Sequence, residues 1–270
     1  MKDIKNAPFI VDICRTCDNM YRLGWDERNG GNISMLLDED EVSEYIDVNA
    51  EGRVFPTNFD AEYIGGHLLI VTGTGQYFKN VSSSPETCLG IIRISDDGRS
   101  YKILWGLKGG GKPTSELPTH LMNHIVRLKA DKSHRVVTHT HPTNVIAMTF
   151  VHSLDEREFT RTLWRMITEC IMVFPDGIGV LPWMVCGTEE IGIATAAKMD
   201  TRRLVVWAHH GIFGAGASLD DAFGLIETVE KAAQIYIMIK DSEILQTITD
   251  ENLRDTAKSL GLNVRKGYLG

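Results

Sequence analysis

The order of the apolar runs constrains the fold of this chain more than any other feature. Three strand-like runs, at 67–73, 89–95 and 101–105, follow one another with no helical pattern between them. Further along, strand-like and helical patterns alternate, but without the regular β-α-β rhythm of a doubly wound parallel sheet. The sequence therefore predicts an α/β fold in which helices cover both faces of a central mixed, largely antiparallel sheet.

The remaining elements follow from the spacing of apolar residues and from cap and turn residues. Helices are predicted at 6–24, 114–128, 143–152, 156–168, 188–199 and 219–240, and strands at 32–37, 135–141, 170–175, 178–182 and 203–210. The last thirty residues are expected to be helical in part. The polar, acidic stretch after the first strand is interpreted as an insertion at about 38–66 within a single domain of residues 1–270.

Charge and apolar patterning exclude several classes of partner. The formal net charge is −8, so the chain has no basic field that would attract nucleic acid or an anionic membrane. No apolar run approaches the roughly 18 residues that a membrane helix needs, and the N-terminus lacks the apolar core of a signal peptide. Five scattered cysteines do not form a disulfide framework. We expect a cytoplasmic protein.

Two histidine-bearing segments suggest a metal site. In "RVVTHTHPTN", His139 and His141 end a strand-like run, and side chains two apart on a strand share a face. A second run, "LVVWAHHG", ends in His209 and His210. If those two strands are neighbours, three imidazoles meet at their ends, which is the ligand set of a catalytic zinc with one open position. The pattern leaves open which of His209 and His210 is the third ligand, and ordinary hydrogen-bonded histidines are the alternative.

A site of this kind needs a titratable group, and Glu116 is the candidate. It lies in the first turn of the helix predicted at 114–128, beside Ser115. The alternative is that an acidic residue there only complements the helix dipole. His120 follows one turn later, but the spacing lacks the full HExxH pattern of zinc proteases, so His120 is not counted as a ligand.

Three short stretches are suited to hold an anion: "RNGGN", "TGTGQ" and "PTSE". In the first, Asn29 and Asn32 flank two glycines. In the second, Thr74 lies between glycines directly after a strand, where backbone N–H groups can form an anion-binding nest. In the third, Thr114 and Ser115 lie at a predicted helix N-terminus. A turn or a cap explains each stretch when it is considered alone.

Taken together, these motifs resemble the class II aldolase family, which includes fuculose-phosphate aldolase, ribulose-phosphate 4-epimerase and the adducin head domain. The family's motifs occur here in order, as "GGN", "GTG", "TSE", "HTH" and "HHG". Longer stretches such as "GWDERNGGN", "TSELPTH" and "TECIMVFPDGIGVLPWMV" resemble the sugar-phosphate aldolases of the family over most of the chain. The insertion and the last thirty residues carry no family motif.

The resemblance implies a set of site residues. One zinc ion per subunit would be bound by His139, His141 and His210. Glu116 would be the acid/base residue, and Glu169 would assist at the aldehyde end, reaching across a subunit boundary of a homotetramer. The positions around the substrate phosphate would be Asn29, Asn32, Thr74, Gly75, Thr114 and Ser115.

The implied activity is metal-dependent cleavage of a ketose 1-phosphate, a small-molecule sugar phosphate, to dihydroxyacetone phosphate and L-lactaldehyde. Epimerisation of a pentulose phosphate or cleavage of fuculose phosphate on the same scaffold is the enzymatic alternative. A non-catalytic, adducin-like interaction module is the other alternative, and it would be expected to have lost the histidines or Glu116. No lysine stands at the end of a buried strand, so a Schiff-base mechanism finds no support.

Overall fold

The computed structural model describes residues 1–269. The strands are short and belong to one sheet. They are β1 Asn32–Leu37, β2 Arg53–Pro56, β3 Leu68–Thr72, β4 Leu89–Ile94, β5 Ser100–Gly106, β6 Val136–Thr140, β7 Ile178–Leu181, β8 Leu204–Trp207 and β9 Gly211–Gly216. Their order across the sheet is β2-β5-β4-β3-β1-β6-β9-β8-β7.

All neighbouring strands in this sheet run antiparallel except β7 and β8, which are parallel. The three consecutive strand-like runs form β3, β4 and β5 of the antiparallel half, although two short helices that were not predicted, Phe78–Val81 and Pro85–Cys88, lie between β3 and β4. The prediction of a mixed, largely antiparallel sheet is therefore confirmed.

The helices lie between the strands and after them. They are α1 Pro8–Arg22, α2 Glu39–Ser43, α3 Phe78–Val81, α4 Pro85–Cys88, α5 Leu117–Ala130, α6 Thr143–Val151, α7 Glu156–Trp164, α8 Glu169–Val173, α9 Glu189–Met199, α10 Leu219–Ile239 and α11 Asp250–Leu260, with 3-10 turns at Ile4–Asn6 and Glu62–Ile64. Within residues 1–269 no helix is both long and apolar enough to cross a membrane.

Helices cover both faces of the sheet, as predicted. Successive side chains of β1 point to opposite faces. On one face Ile33 and Met35 join the core that α1 and α10 contribute to. On the other face Leu36 packs with Leu117 and Leu121 of α5. α5 in turn packs against α9. Because β1 is buried on both faces, the residues at its ends have little freedom to move.

Several predicted elements were wrong in detail. The apolar run 170–175, predicted as a strand, instead contains most of the short helix α8. An apolar run of this length is equally compatible with a buried strand and with a buried helical turn. The helix predicted at 114–128 begins at Leu117, and its N-cap is Glu116 rather than Thr114 or Ser115. The strand predicted at 203–210 ends at Trp207. Two strands were not predicted, β2 and the glycine-rich β9.

The segment interpreted as an insertion is structured. It contains α2, the edge strand β2 and the 3-10 turn Glu62–Ile64. Arg53 of β2 donates from its guanidinium to the carbonyl oxygens of Gly111 and Leu107, at 2.7 and 2.8 Å. The segment thus holds the glycine-rich loop that precedes Thr114.

Candidate metal centre

Three imidazoles converge at one edge of the sheet. A ring nitrogen from each of His139, His141 and His210 lies within 4.8 Å of the others. His139 is on β6 and His141 directly follows that strand, whereas His210 lies in the turn between β8 and β9. The two strands that lead to these histidines, β6 and β8, are not neighbours in the sheet. β9 lies between β6 and β8, and the β8–β9 turn brings His210 back over the end of β6.

Hydrogen bonds on the outer ring nitrogens orient two of these imidazoles. His139 donates from Nδ1 to the carbonyl oxygen of Ile212, at 3.1 Å. His141 donates from Nδ1 to the carboxylate of Glu27, at 3.0 and 3.1 Å. Each of these two rings therefore carries a proton on Nδ1, and their Nε2 atoms face each other at 3.3 Å. Two imidazole nitrogens aimed at one point fit a bound cation.

The protonation states also suit metal binding. Burial and the neighbouring imidazoles lower the pKa of His139 well below its ordinary value. The same two causes lower the pKa of His210 to about 4. Both rings are therefore neutral near pH 7, which is the form that binds a metal.

The structure also distinguishes His210 from its neighbour. His209 has a left-handed backbone, with φ of 63°, and its ring packs on Phe150 with centroids 4.2 Å apart. Thr149 Oγ accepts the backbone N–H of His209, at 3.0 Å. These contacts fasten His209 to α6 and leave it outside the group of three. Its role is to shape the turn that presents His210.

Two glycines make room for the imidazoles. A methyl group on Gly211 would lie 2.4 Å from the carbonyl oxygen of Thr140 and within 3.0 Å of the His141 and His139 rings. A methyl group on Gly30 would lie 2.8 Å from the His141 ring. The "HHG" and "RNGGN" motifs thus contain glycine because any side chain there would displace a ring of the cluster.

The imidazoles form one wall of a pocket that contains almost all of the predicted site residues. The residues that line it are Asn29, Gly30, Gly31, Asn32, Gly73, Thr74, Gly75, Thr114, Ser115, Glu116, His139, His141 and His210. Glu169 is not among them. It is the first residue of α8 and is exposed on the surface.

Glu116 is close to the cluster and mostly buried. Its Oε2 lies 3.9 Å from His139 Nε2, and only 8% of the residue is exposed. Burial raises the pKa of Glu116, while a hydrogen bond from Asn32 Nδ2, at 3.0 Å, acts in the opposite direction. A carboxylate in this setting can exchange a proton with a bound molecule more readily than an exposed one.

The opposite side of the pocket offers neutral donors. The backbone N–H of Thr74 is bonded to Lys112 O and that of Thr114 to Thr72 O, so these two amides do not form the predicted anion nest. Among the described residues, the backbone N–H groups of Gly75 and Ser115 have no protein acceptor. None of the described residues that line the pocket is lysine or arginine.

Sequence reasoning missed two groups around the site. Glu27 lies within the "GWDERNGGN" stretch, but nothing in its spacing pointed to His141. His120 and His124 lie one turn apart on α5, and both hydrogen-bond to Ser34 of β1, at 2.7 and 2.8 Å. Their i, i+4 spacing on one helix face was the available signal.

The chain is similar to known proteins over most of its length. A family model described as Class II Aldolase and Adducin N-terminal domain matches residues 11–237. A rhamnulose-1-phosphate aldolase of Listeria monocytogenes serotype 4b is 55% identical, over 99% of this chain and 98% of the relative. A rhamnulose-1-phosphate aldolase of Enterococcus faecalis is 50% identical, over 99% of this chain and 96% of the relative.

Among solved structures, the chain is similar to a sugar-phosphate aldolase from Thermotoga maritima. The TM-score is 0.74 at 28% identity, and the alignment covers 88% of this chain and 97% of the other.

Proposed function

This chain belongs to the class II aldolase and adducin family, and we propose that it cleaves L-rhamnulose 1-phosphate to dihydroxyacetone phosphate and L-lactaldehyde in rhamnose catabolism. The observation that carries the proposal is the pocket in which three imidazoles lie beside a buried carboxylate and a set of uncharged hydrogen-bond donors suited to an anion. The choice of substrate rests on rhamnulose-1-phosphate aldolases that are 50 to 55% identical over nearly the whole chain. The protein is a lyase.

We assign one Zn²⁺ per subunit to His139, His141 and His210. Three imidazoles, two of them oriented by hydrogen bonds from Nδ1, match the donor set of catalytic zinc sites. When bound, zinc supplies a Lewis acid for the carbonyl and neighbouring hydroxyl oxygens of the substrate.

Glu116 moves the proton at the reacting carbon. Cleavage breaks the bond between C3 and C4 of the ketose, C4 becomes the aldehyde carbon as its hydroxyl loses a proton, and the electron pair remains on C3 as an enediolate. Protonation of C3 then gives dihydroxyacetone phosphate. Glu116 is suited to deliver that proton because it is buried, its pKa is raised, and it faces the same space as His139.

Neutral groups hold the phosphate. The free N–H groups of Gly75 and Ser115, with the side chains of Asn29, Thr74 and Ser115, line the same pocket as the imidazoles. Preorganised backbone donors bind phosphate without a counter-charge. Thr114 supports them, since its Oγ accepts the backbone N–H of Glu116 at 3.3 Å.

Glu169 handles the aldehyde end from a neighbouring subunit of a homotetramer. Its exposed position at the start of α8 supports this arrangement, because an exposed carboxylate is free to enter the pocket of another copy. The five cysteines are all free, which fits the reducing cytoplasm as the place of action.

The test is release of dihydroxyacetone phosphate from L-rhamnulose 1-phosphate before chelation, after chelation, and after return of zinc. Activity that is lost and then regained is expected. L-fuculose 1-phosphate and L-ribulose 5-phosphate serve as comparison substrates, and turnover of either one with no cleavage of rhamnulose 1-phosphate would overturn the substrate assignment. A zinc-loaded protein that processes none of the three would favour a non-catalytic module.

The neighbouring histidines provide a matched pair for the metal assignment. His210→Asn should abolish stoichiometric zinc, whereas His209→Asn should retain it, because asparagine tolerates the left-handed backbone of that turn. Equal zinc contents in the two variants would contradict the ligand set.

A further inference from the structure

A chain of buried polar side chains runs from Glu116 into the interior between β1 and α5. Asn32 Nδ2 donates to Glu116 at 3.0 Å, and Asn32 Oδ1 is hydrogen-bonded to His120 Nε2. His120 Nδ1 lies 2.7 Å from Ser34 Oγ, which lies 2.8 Å from His124 Nε2. Each of these residues is at most 8% exposed. The proposed reaction gives no role to His120, Ser34 or His124, although His120 ends the family-like stretch "TSELPTH".

Every proton in this row of hydrogen bonds can be assigned. Asn32 turns its amino group to Glu116, so its Oδ1 accepts a proton that His120 carries on Nε2. Burial lowers the pKa of His120 to about 3, so the ring is neutral and its Nδ1 accepts the hydroxyl proton of Ser34. Ser34 has no second proton, so His124 donates to it from Nε2. That assignment leaves His124 Nδ1 as a bare lone pair, and within the described residues this atom has no hydrogen-bond partner.

All donors in this row of hydrogen bonds therefore point toward Glu116. The reversed orientation of Asn32 would set its carbonyl oxygen against a carboxylate oxygen, which only a protonated Glu116 tolerates. His120 prevents that reversal, because a neutral ring with its proton on Nε2 requires an acceptor, not a second donor, from Asn32. A mismatched pair buried at this depth would lose hydrogen bonds that water cannot replace.

Packing holds the His120 ring in place. Phe213 of β9 stacks on His139, with centroids 4.4 Å apart, and meets the edge of His120 at 5.5 Å. One aromatic ring thus contacts both the metal-binding imidazole and the start of the polar chain.

We propose that His120 is a positioning residue: through Asn32 it fixes the orientation of the Glu116 carboxylate, and Ser34 and His124 fix the tautomer of His120. The proposal rests on the proposed function, since Glu116 is the proton-transfer group there. It differs from the phosphate role implied for Asn32, because Glu116 accepts from the amino group of that side chain and His120 donates to its carbonyl oxygen.

The first experiment isolates the step that Glu116 performs. In D₂O, dihydroxyacetone phosphate without an aldehyde should exchange one hydroxymethyl hydrogen, as Glu116 removes a proton and a deuteron returns to the same carbon. Proton NMR of the zinc-loaded protein gives the exchange rate. His120→Phe should slow exchange by about 10- to 100-fold, because small displacements of a catalytic group have effects of this size. Affinity for dihydroxyacetone phosphate and zinc content should stay within about twofold of the native values.

Two variants separate positioning from loss of stability. His120→Gln restores an N–H donor to Asn32 and should recover most of the exchange rate. Leu121→Ala opens a cavity at a fully buried position on the same helix, so it should lower Tm without slowing exchange comparably. A His120→Phe variant that exchanges at the native rate, or a His120→Gln variant that is as slow as His120→Phe, would overturn the proposal.

A second experiment does not depend on activity. Nitrogen-15 spectra of histidine-labelled protein, assigned with the His120→Phe and His124→Phe variants, should give the neutral Nε2–H tautomer for both residues from pH 6 to 8. An Nδ1–H tautomer for His120 would overturn the proposal even if the enzyme is active. Native protein that shows the expected tautomers but no exchange of dihydroxyacetone phosphate would instead place the failure in the proposed function.

Discussion

His141 donates from Nδ1 to the carboxylate of Glu27 at 3.0 Å, so one surface carboxylate orients a ring whose other nitrogen faces the metal centre. Carboxylate–histidine pairs of this kind increase the basicity of the metal-binding nitrogen.

Glu27→Ala should therefore weaken zinc binding by about 10- to 100-fold, the usual effect of removing an outer hydrogen-bond partner. Competition against a fluorescent chelator measures the affinity. Glu27→Gln should lie between native and Glu27→Ala, since its amide oxygen still accepts from Nδ1. Glu243→Ala removes an exposed carboxylate elsewhere and should leave the affinity unchanged. An unaltered zinc affinity in Glu27→Ala would show that the carboxylate does not orient His141.

Gly211→Ala should destabilise the protein by about 1–3 kcal/mol and reduce its zinc content, because the added methyl would displace Thr140 and the His141 and His139 rings. Thermal unfolding and metal analysis provide the readouts. Gly224→Ala is the matched control. Gly224 lies within α10 with open space around it, so alanine there should stabilise by about 0.5–1 kcal/mol. Full zinc content in Gly211→Ala would contradict the close approach.

The stability of the metal-free protein should fall in acid because of His120 and His124. Burial lowers the pKa of each to about 3, whereas the ordinary value is 6.5. The unfolded chain therefore binds protons at a higher pH than the folded chain does. Their stabilising contribution is complete above pH 6.5, and below it the free energy of unfolding should decrease by about 1.4 kcal/mol per pH unit for each histidine until pH approaches 3.

Urea unfolding at several pH values between 4 and 7 measures this slope. A variant with both histidines replaced by leucine should show a shallower slope than the native chain. Leu121→Ala, which destabilises α5 without removing a titratable group, should keep the native slope. Parallel curves for the native chain and the double variant would mean that the two rings do not titrate as inferred.

Arg53→Ala should raise KM for the phosphorylated substrate several-fold with little change in kcat. Its guanidinium fixes the loop between Leu107 and Gly111, and that loop leads into Thr114 and Ser115. A several-fold change corresponds to about 1 kcal/mol, which is less than the roughly 1.5–3 kcal/mol of a charged hydrogen bond because Arg53 acts on the phosphate site only through this loop. Arg99→Ala removes an exposed guanidinium from the neighbouring turn and should have no effect on KM. A fall in kcat alone would place the effect at the reacting carbon.

Thiol titration should give one fast reaction per chain. Cys186 is exposed, whereas burial raises the pKa of Cys14 to about 11 and that of Cys17 well above its ordinary value. Thiols that remain protonated react slowly with disulfide reagents. A chromogenic disulfide should label Cys186 at once and the other cysteines only after unfolding. Any fast thiol that remains in Cys186→Ser would contradict the protection of Cys14 and Cys17.

The sequence predicted which histidines would converge because each of them ends an apolar run, although the choice of His210 over His209 depended on the family resemblance. It did not predict how they meet. β9 is rich in glycine, which is uncommon in strands, so the strand between β6 and β8 escaped recognition. Of its three glycines, Gly211 gives the imidazole rings space, whereas Gly214 and Gly216 allow α10 to approach the strand.

The polar chain behind Glu116 could not be predicted for a different reason. It joins Asn32 and Ser34 of β1 to His120 of α5, which is distant in sequence. A single sequence does not show which residues of a strand and a helix face each other. Glu169 stays a prediction as well, because its role depends on a second copy of the chain.

The β8–β9 turn also has a consequence for the order of events during synthesis. His139 and His141 leave the ribosome well before His210, and β9, which holds the β8–β9 turn over the end of β6, follows His210 in the chain. The proposed metal site is therefore complete only once β9 has paired with both β6 and β8. A nascent chain that stops before β9 contains all three histidines, but no strand yet holds His210 beside the other two.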